Sequence, residues 1–347
     1  AIFKKIHKIM LPGDYIAMRL TGDIRTSFTG LSEGIFWDFM RGGISQDLLD
    51  YYGIPAEFLP EAVASFSVQG KLSGSIAEET GLQAGIPVSY RAGDQPNNAL
   101  SLNVLSPGEV ATTAGTSGVI YGVTGEMKFD PQSRINTFLH VNHTDYSPRL
   151  GVLLCINGTG ILYSWLNKIA GAGMTYGQMN DMSSAVSPGS DGLFLLPFGN
   201  GAERMLRNAD ISSSFHGINF NIHGQGHLFR AAQEAIAYSF RFGLEIMKET
   251  GINPGVIRAG ESNLFQSKVF RDTLSSLTSA VITLYNTDGS AGAARGAGIG
   301  CGYYKNEKEA FGGLEAIGVS EPDNSLSSVY EAKYQEWVDI LEDKLYK

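Results

Sequence analysis

One carboxylate stands alone in an otherwise uncharged stretch: Asp94, in "GDQPNNALSLN" (93–103), follows a strand-like apolar run and precedes a helix-like one. A carboxylate at a helix N-terminus is favoured in its ionised form by the helix dipole, which suits a group that accepts a proton. The same place suits a simple helix cap, with Pro96 as the first helical residue, and spacing does not separate the two roles. Four turns rich in Gly, Thr, Ser and Asn accompany this acid, each after an apolar run: "AGTSG" (114–118), "NGTG" (157–160), "AGESN" (259–263) and "NTDGSAGAARGAG" (286–298). Such turns bare backbone N–H groups and hydroxyls that can hold phosphate oxygens without a lysine. A plain turn explains any one of them, because Gly and Asn dominate turns for conformational reasons; four beside one acid point to phosphate chemistry.

Other chemistries lack their residues. No three-glycine dinucleotide fingerprint opens a helix, no loop ends in Gly-Lys-Ser/Thr, and no Gly-x-Ser-x-Gly elbow occurs, which argues against Rossmann hydride transfer and serine hydrolysis. His140 and His143 in "HVNHTD" could pair on a metal, but no cysteine or carboxylate cluster matches them, so a surface loop is expected.

The elements that must position these turns alternate. A helix is expected from Pro12 to Gly22, another over 45–52, and a short one ending near Gly81 before a strand at 88–92. The run "GEVATTAGTSGVIYGVTGE" has the logic of a hairpin around 114–118, with glycines at places of positive φ. "RLGVLLCINGTGILYSWLNKIAG" reads as strand, turn and helix, and "HLFRAAQEAIAYSFRFGLEIMKETG" as a long helix stopped by Gly251. "SAGAARGAGIGCG" has the small residues of a closely packed helix, and Leu326, Tyr330, Tyr334, Trp337, Leu341 and Leu345 form one apolar stripe near the C-terminus. The pattern is α/β with a mixed sheet.

Composition agrees. At 347 residues the chain exceeds one ordinary core, and an apolar share of 43% is globular. A net charge of -9 without basic runs argues against nucleic acid or an anionic membrane as partner, and no apolar run reaches the roughly 18 residues of a span. Cys155 and Cys301, far apart in small apolar company, are expected to be buried thiols of a cytoplasmic protein. The 43 glycines, well above a typical ~7%, cluster between apolar runs rather than following a period.

In their order these motifs resemble the FGGY carbohydrate kinases, and within them the xylulokinase-like group. "KIMLPGDYIAMRLTGD" (8–23) is similar to the family's first signature helix, "AGDQPNNAL" to its Gly-Asp-Gln segment, and "GEVATTAGTSGVIY" to its phosphate hairpin. "SFHGINFNIHGQGHLFRAAQEAIAYSF" (214–240) resembles the second signature but carries Gln233 where the family prefers an apolar residue. "RAGESNLFQSKVFRDTL" (258–274) resembles the adenosine turn, with Ala259 in place of a Gly. No Asp-x-Gly-Thr phosphate loop of the family's N-terminal part occurs, so the chain is expected to be the C-terminal two-thirds of such an enzyme.

The resemblance implies actin/RNase-H-like domains with mixed five-stranded sheets flanked by helices, two lobes around a cleft. Residues 1–90 would be the remaining part of the sugar-binding domain, 91–320 the nucleotide-binding domain, and 321–347 a helix returning to the first. It implies transfer of the γ-phosphoryl of ATP to a primary hydroxyl of a ketose such as D-xylulose, with Asp94 as general base. Gln95 would hold a sugar hydroxyl, and Mg²⁺ would be reached by Asp94 through water. Gly115, Thr116 and Ser117 would meet the β/γ-phosphates, Gly158, Thr159 and Gly160 the α-phosphate, and Gly260 with Asn263 the adenine. A homodimer is common in the family. Ribulose, gluconate, rhamnulose or glycerol as acceptor, a non-catalytic nucleotide- or sugar-sensing module, and an actin-like structural protein remain alternatives.

Overall fold

The computed structural model describes residues 2–346, so the outermost residues of the expected 1–90 and 321–347 segments lie outside the described residues. The first lobe opens with α1 (Pro12–Thr21), started by Pro12 at the position where its missing N–H costs nothing and ended by Gly22 at φ +85°. Its strands form two-stranded ribbons: β1 (Arg25–Ser27) with β4 (Glu61–Val63) in parallel, and β2 (Trp37–Asp38) with β3 (Gly43–Ile44) and β5 (Phe66–Lys71) with β6 (Pro87–Tyr90) antiparallel. Helices α2 (Phe28–Glu33), α3 (Gln46–Tyr52) and α4 (Gly74–Thr80) connect them. This part of the first domain pairs its strands only in twos among the described residues, because strands of two to six residues are separated by helices and loops.

After α5 (Asp94–Ser101) the chain builds one large sheet from β7 (Val110–Ala114), β8 (Gly118–Thr124), β9 (Asn136–Leu139), β10 (Leu150–Ile156), β13 (Val256–Gly260), β14 (Val281–Tyr285) and β15 (Ala316–Ser320). The order is β15-β14-β13-β7-β8-β10-β9, so the sheet has seven strands rather than five; β9 and β15 extend a mixed inner five. Strands β11 (Phe194–Leu196) and β12 (Ser214–His216) pair separately.

Both faces of the sheet are covered, and side-chain alternation sorts them. Ile120, Val152 and Leu154 point to the larger core with the long α8 (Gln225–Lys248), α6 (Gly160–Ile169) and α9 (Lys268–Thr278). Ala111, Tyr121 and Val123 point to the opposite core, which receives Ala99 of α5. Helix α7 (Tyr176–Ser184) lies on α8, and α10 (Gly289–Gly300) fits between α5 and the β5–β6 ribbon. Gly292, Gly296 and Gly300 form its contact stripe: a Cβ at Gly292 would fall 2.8 Å from the Asn97 carbonyl oxygen, one at Gly296 2.6 Å from the Tyr90 ring, and one at Gly300 would collide with the Ser89 carbonyl. The small-residue reading of this helix therefore holds.

Beyond the short α11 (Glu307–Ala310), α12 (Ser327–Tyr346) places Tyr330, Tyr334, Trp337 and Leu341 in the larger core. It was expected to return to the first lobe. It packs instead on α9, α8 and β11, where the Trp337 indole donates to the Leu195 carbonyl at 2.8 Å and Tyr334 to Glu245 at 2.7 Å. The stripe is apolar enough to join the nearest large core, which lies against the seven-stranded sheet.

Two further expectations change. Cys155 and Cys301 are both exposed, because Cys155 sits where β10 emerges from the sheet and Cys301 just past the end of α10. His140 is fully buried rather than on a surface loop; its ring joins the Tyr121 hydroxyl at 2.8 Å and the Val104 carbonyl at 3.1 Å, and burial lowers its pKa to about 3, so it is a neutral core residue. His143 is half-buried against the Arg149 backbone.

Candidate active site

Strands β7, β13 and β14 are parallel, and β10, antiparallel to β8 as β8 is to β7, runs the same way. The four Gly/Thr/Ser/Asn turns follow these four strands, so all of them open at one carboxyl edge of one sheet. In sheets of this kind that edge is where ligands bind.

Two of the turns lock together. The Gly160 amide donates to the Gly115 carbonyl at 2.9 Å and Ile161 to Thr116 at 3.1 Å, while the buried Thr159 hydroxyl bonds both carbonyls at 3.2 Å. Neither Gly115 nor Gly118 has positive φ, contrary to the hairpin expectation. Close approach is the reason for glycine at Gly118, where a Cβ would lie 2.6 Å from the Thr159 methyl and 2.8 Å from the Phe240 ring. A Cβ at Gly160 would collide with the Gly115 carbonyl, and one at Gly158 with the Pro197 carbonyl.

Three of the four amides of the 157–160 turn are taken up within the protein. Asn157 and Gly158 donate to the carboxylate of Glu203 at 3.0 and 3.1 Å, and the Gly160 and Ile161 amides are already taken by the hairpin. Glu203 is fully buried, and desolvation raises its pKa to about 7 despite these two bonds. The protein's own carboxylate thus fills the place where a ligand anion was expected. By contrast, the amides of Thr116 and Ser117 donate to no other residue among those described.

A cavity of about 680 Å³ opens beside the hairpin, walled by Gly115, Thr116, Gly160, Tyr163, Tyr176 and Asn263, with Asn180, Leu264, Gln266 and Ser267 further round. Of the residues singled out in the sequence, Gly115, Thr116, Gly160 and Asn263 share this wall. Ser117, Gly158, Thr159 and Gly260 do not: Thr159 and Gly158 lie beneath the turns, and Gly260 ends β13 with the Thr287 carbonyl nearby. The Tyr163 and Tyr176 rings lie 5.9 Å apart at 22°.

Behind the cavity is a polar network that sequence reasoning missed except at one member. Gln233, fully buried, donates to the Tyr163 hydroxyl at 2.8 Å, to Ser183 at 3.1 Å and to Asn180 at 3.2 Å, and its oxygen accepts from Ser267 at 2.5 Å. Tyr163 also donates to Asn180 at 2.9 Å. The departure from the apolar residue expected at Gln233 is therefore compensated by four partners. Ala259 is likewise at home, fully buried in the core between β7 and β14.

Asp94 stands at the start of α5, two residues earlier than Pro96, and is exposed. It caps no amide deeper in the helix; its Oδ1 accepts from the Gln95 N–H at 2.7 Å and its Oδ2 from the Gln95 side chain at 3.3 Å. Gly93, just before it, donates its N–H to Glu33 of the first lobe at 2.9 Å. Arg91 anchors the incoming chain through Asp14 at 3.2 Å, Gln69 at 2.5 Å and the Arg25 carbonyl at 2.8 Å. The pKa of the Cys155 thiol is raised by partial burial and then by the negative charges of Asp94 and Glu203. Among the described residues no group of three or more His, Cys, Asp or Glu could hold a metal ion, and neither Asp94 nor Glu33 is in an ion pair.

The N-terminal domain of the FGGY family of carbohydrate kinases matches residues 1–101, and the family's C-terminal domain matches residues 110–302. The chain belongs to this family. It is 27% identical over 361 residues to the xylulose kinase of Lactococcus lactis subsp. lactis (strain IL1403), covering 99% of this chain and 68% of that protein. It is 26% identical over 309 residues to the xylulose kinase of Bacillus subtilis (strain 168), covering 89% of this chain and 61% of that protein. The crystal structure of xylulose kinase from Rhodospirillum rubrum superimposes with a TM-score of 0.89 at 26% identity, over 100% of this chain and 70% of that one. The chain thus spans about two-thirds of the length of these relatives, and the FGGY kinase fold is an α/β, actin/RNase-H-like one. No helix among the described residues is long and apolar enough to cross a membrane.

Proposed function

We propose that this FGGY chain takes part in ATP-dependent phosphorylation of a sugar at a primary hydroxyl, with a ketose, D-xylulose, as acceptor. The observation that carries the reading is the gathering of the four Gly/Thr/Ser/Asn turns at the carboxyl edge of one sheet, with the Thr116 and Ser117 amides unpaired among the described residues beside a cavity of about 680 Å³. The named relatives support the choice of sugar, since both similar curated proteins are xylulose kinases.

In this reading the nucleotide lies along the cavity wall, with the Thr116 and Ser117 amides and hydroxyls at the terminal phosphates and Asn263 towards the adenosine. Gly158 and Thr159 act from below by holding the hairpin in shape rather than by touching phosphate. Asp94 accepts the proton of the sugar hydroxyl while that oxygen bonds the γ-phosphorus and the bond to the bridging oxygen of ADP breaks. Since phosphoryl transfer has a loose transition state, holding the hydroxyl in line contributes as much as removing its proton. Gln95 is turned on Asp94 and keeps its amide oxygen for a sugar hydroxyl.

Mg²⁺ would be held mainly by the nucleotide phosphates, with Asp94 reaching it through water. When bound, that ion neutralises charge on the transferred group. A homodimer in the cytoplasm completes the reading. The test is coupled ADP release by the full-length gene product with Mg·ATP and D-xylulose, beside a panel of ketoses, polyols and aldonates. Turnover on D-xylulose supports the proposal. Turnover only on another acceptor moves the sugar, and tight ATP binding with no turnover on any acceptor favours a sensing module.

A further inference from the structure

Glu33 ends α2, an element of the first lobe, yet its Oε2 accepts the Gly93 N–H at 2.9 Å across sixty residues of sequence. The contact is close: a Cβ at Gly93 would overlap the Glu33 carboxylate, so the acid lies directly against the backbone that leads into Asp94. Glu33 is itself held from two sides. Ser27 caps α2 by accepting from Gly30 at 3.0 Å, and the buried Ser32 accepts the Leu139 N–H of β9 at 3.0 Å, which ties the helix to the edge of the large sheet. Gly93 is the N-cap of α5 and has no side chain that could cap it, so the Glu33 bond fixes the one backbone group that sets how Asp94 enters the helix.

We infer that Glu33 is a positioning residue for Asp94: from the end of α2 it holds the Gly93 amide and so fixes the direction of the base. The inference rests on the reading of Asp94 as the base. A misplacement of about 1 Å at a reacting group is enough to cost roughly a hundredfold in rate, which is the scale of effect available to such a contact.

The surroundings of Glu33 make the bond sensitive to pH. Burial raises its pKa to about 7, opposed by the Gly93 bond and increased by Asp94. Tyr90 on β6 and Tyr121 on β8 sense its charge and have their own pKa values raised chiefly by burial. On the other elements packed against α2, Arg25 of β1 pairs with Glu61 of β4, Asp38 of β2 pairs with Arg41, and His140 beyond β9 is neutral. A carboxylate accepts an N–H more strongly than the acid does, so the contact tightens as pH rises through neutrality.

The experiment compares wild type, Asp94→Asn, Glu33→Gln and Glu33→Ala in the full-length gene product, by steady-state kinetics with Mg·ATP and the accepted sugar from mildly acidic to alkaline pH. Glu33→Ala is expected to lose about tenfold to a hundredfold in kcat with the KM for ATP unchanged. Glu33→Gln, whose amide oxygen can still accept the Gly93 N–H, is expected to recover most of that loss and to lack the inflection near neutral pH shown by wild type. Wild-type kcat in Glu33→Ala, or an unaltered inflection in Glu33→Gln, would overturn the inference. Asp94→Asn separates the two readings: normal turnover in that variant overturns the base assignment, whereas an inactive Asp94→Asn beside a normal Glu33→Ala overturns only the role of Glu33.

Discussion

The cavity beside the hairpin and the surroundings of Asp94 are built differently. Around the cavity, the hairpin and the 157–160 turn are bonded to each other, Glu203 fills the space beneath, and Gln233 knits α6, α7, α8 and the start of α9 behind the cavity. Every link joins elements of one sheet-centred core. At the start of α5, Asp94 is exposed, its nearest partner is its neighbour Gln95, and its backbone is held by Glu33 and by the Arg91–Asp14 pair. The hairpin and its cavity are thus preformed within one core, while the backbone leading into Asp94 is held by contacts to α1, α2 and β5.

Substitutions can break or sharpen this contrast. The largest effect is expected at the acid: Asp94→Asn should lower kcat by roughly 10²–10⁴-fold while calorimetric ATP affinity stays unchanged, which would place its role wholly on the acceptor side. Gly158→Ala should act on the other side, driving a methyl into the Pro197 carbonyl; a loss of about 1–3 kcal/mol in urea unfolding, with weakened ATP binding, is expected. Gln233→Leu should cost about 1–2 kcal/mol by leaving the buried Ser267 hydroxyl unpaired, and should raise the KM for ATP without altering kcat.

The smallest effect at neutral pH should come from Glu203→Gln, whose signature is a slope. The folded-state pKa of Glu203, about 7, lies above its unfolded value of 4.5, so the folded protein binds the extra proton between these values. Its contribution to stability is present in full below the unfolded value and is lost as pH rises through the folded one. Thermal melts of Glu203→Gln across that window should therefore fall less steeply with pH than those of wild type.

Much of this was legible in the sequence, and what was not has identifiable causes. Helices α1 and α8 announce themselves through Pro12, Gly22, Gly251 and a regular apolar face, and the small residues of α10 do face a close neighbour. The turns were recognisable by composition, but their hydrogen bonds were not. Nothing local marks Glu203 as the acceptor for amides 45 residues earlier, or Glu33 as the acceptor for Gly93, because long-range pairing leaves no periodicity. Gln233 left a trace as a polar residue on a buried helix face, which is the signal that a partnered network must lie opposite. The destination of α12 was misread for the same reason: its stripe says that it docks, not where.

The Cys155 thiol also has a use in the hands of an experimenter. It is the exposed residue of an otherwise well-packed strand, two residues ahead of the 157–160 turn and within the electrostatic reach of both Asp94 and Glu203. Its raised pKa makes alkylation slow at neutral pH, and that rate follows the negative charge carried by Asp94 and Glu203. A maleimide labelling time course across pH, with Cys301 replaced by serine, would then report changes in that charge from a residue the chain already carries.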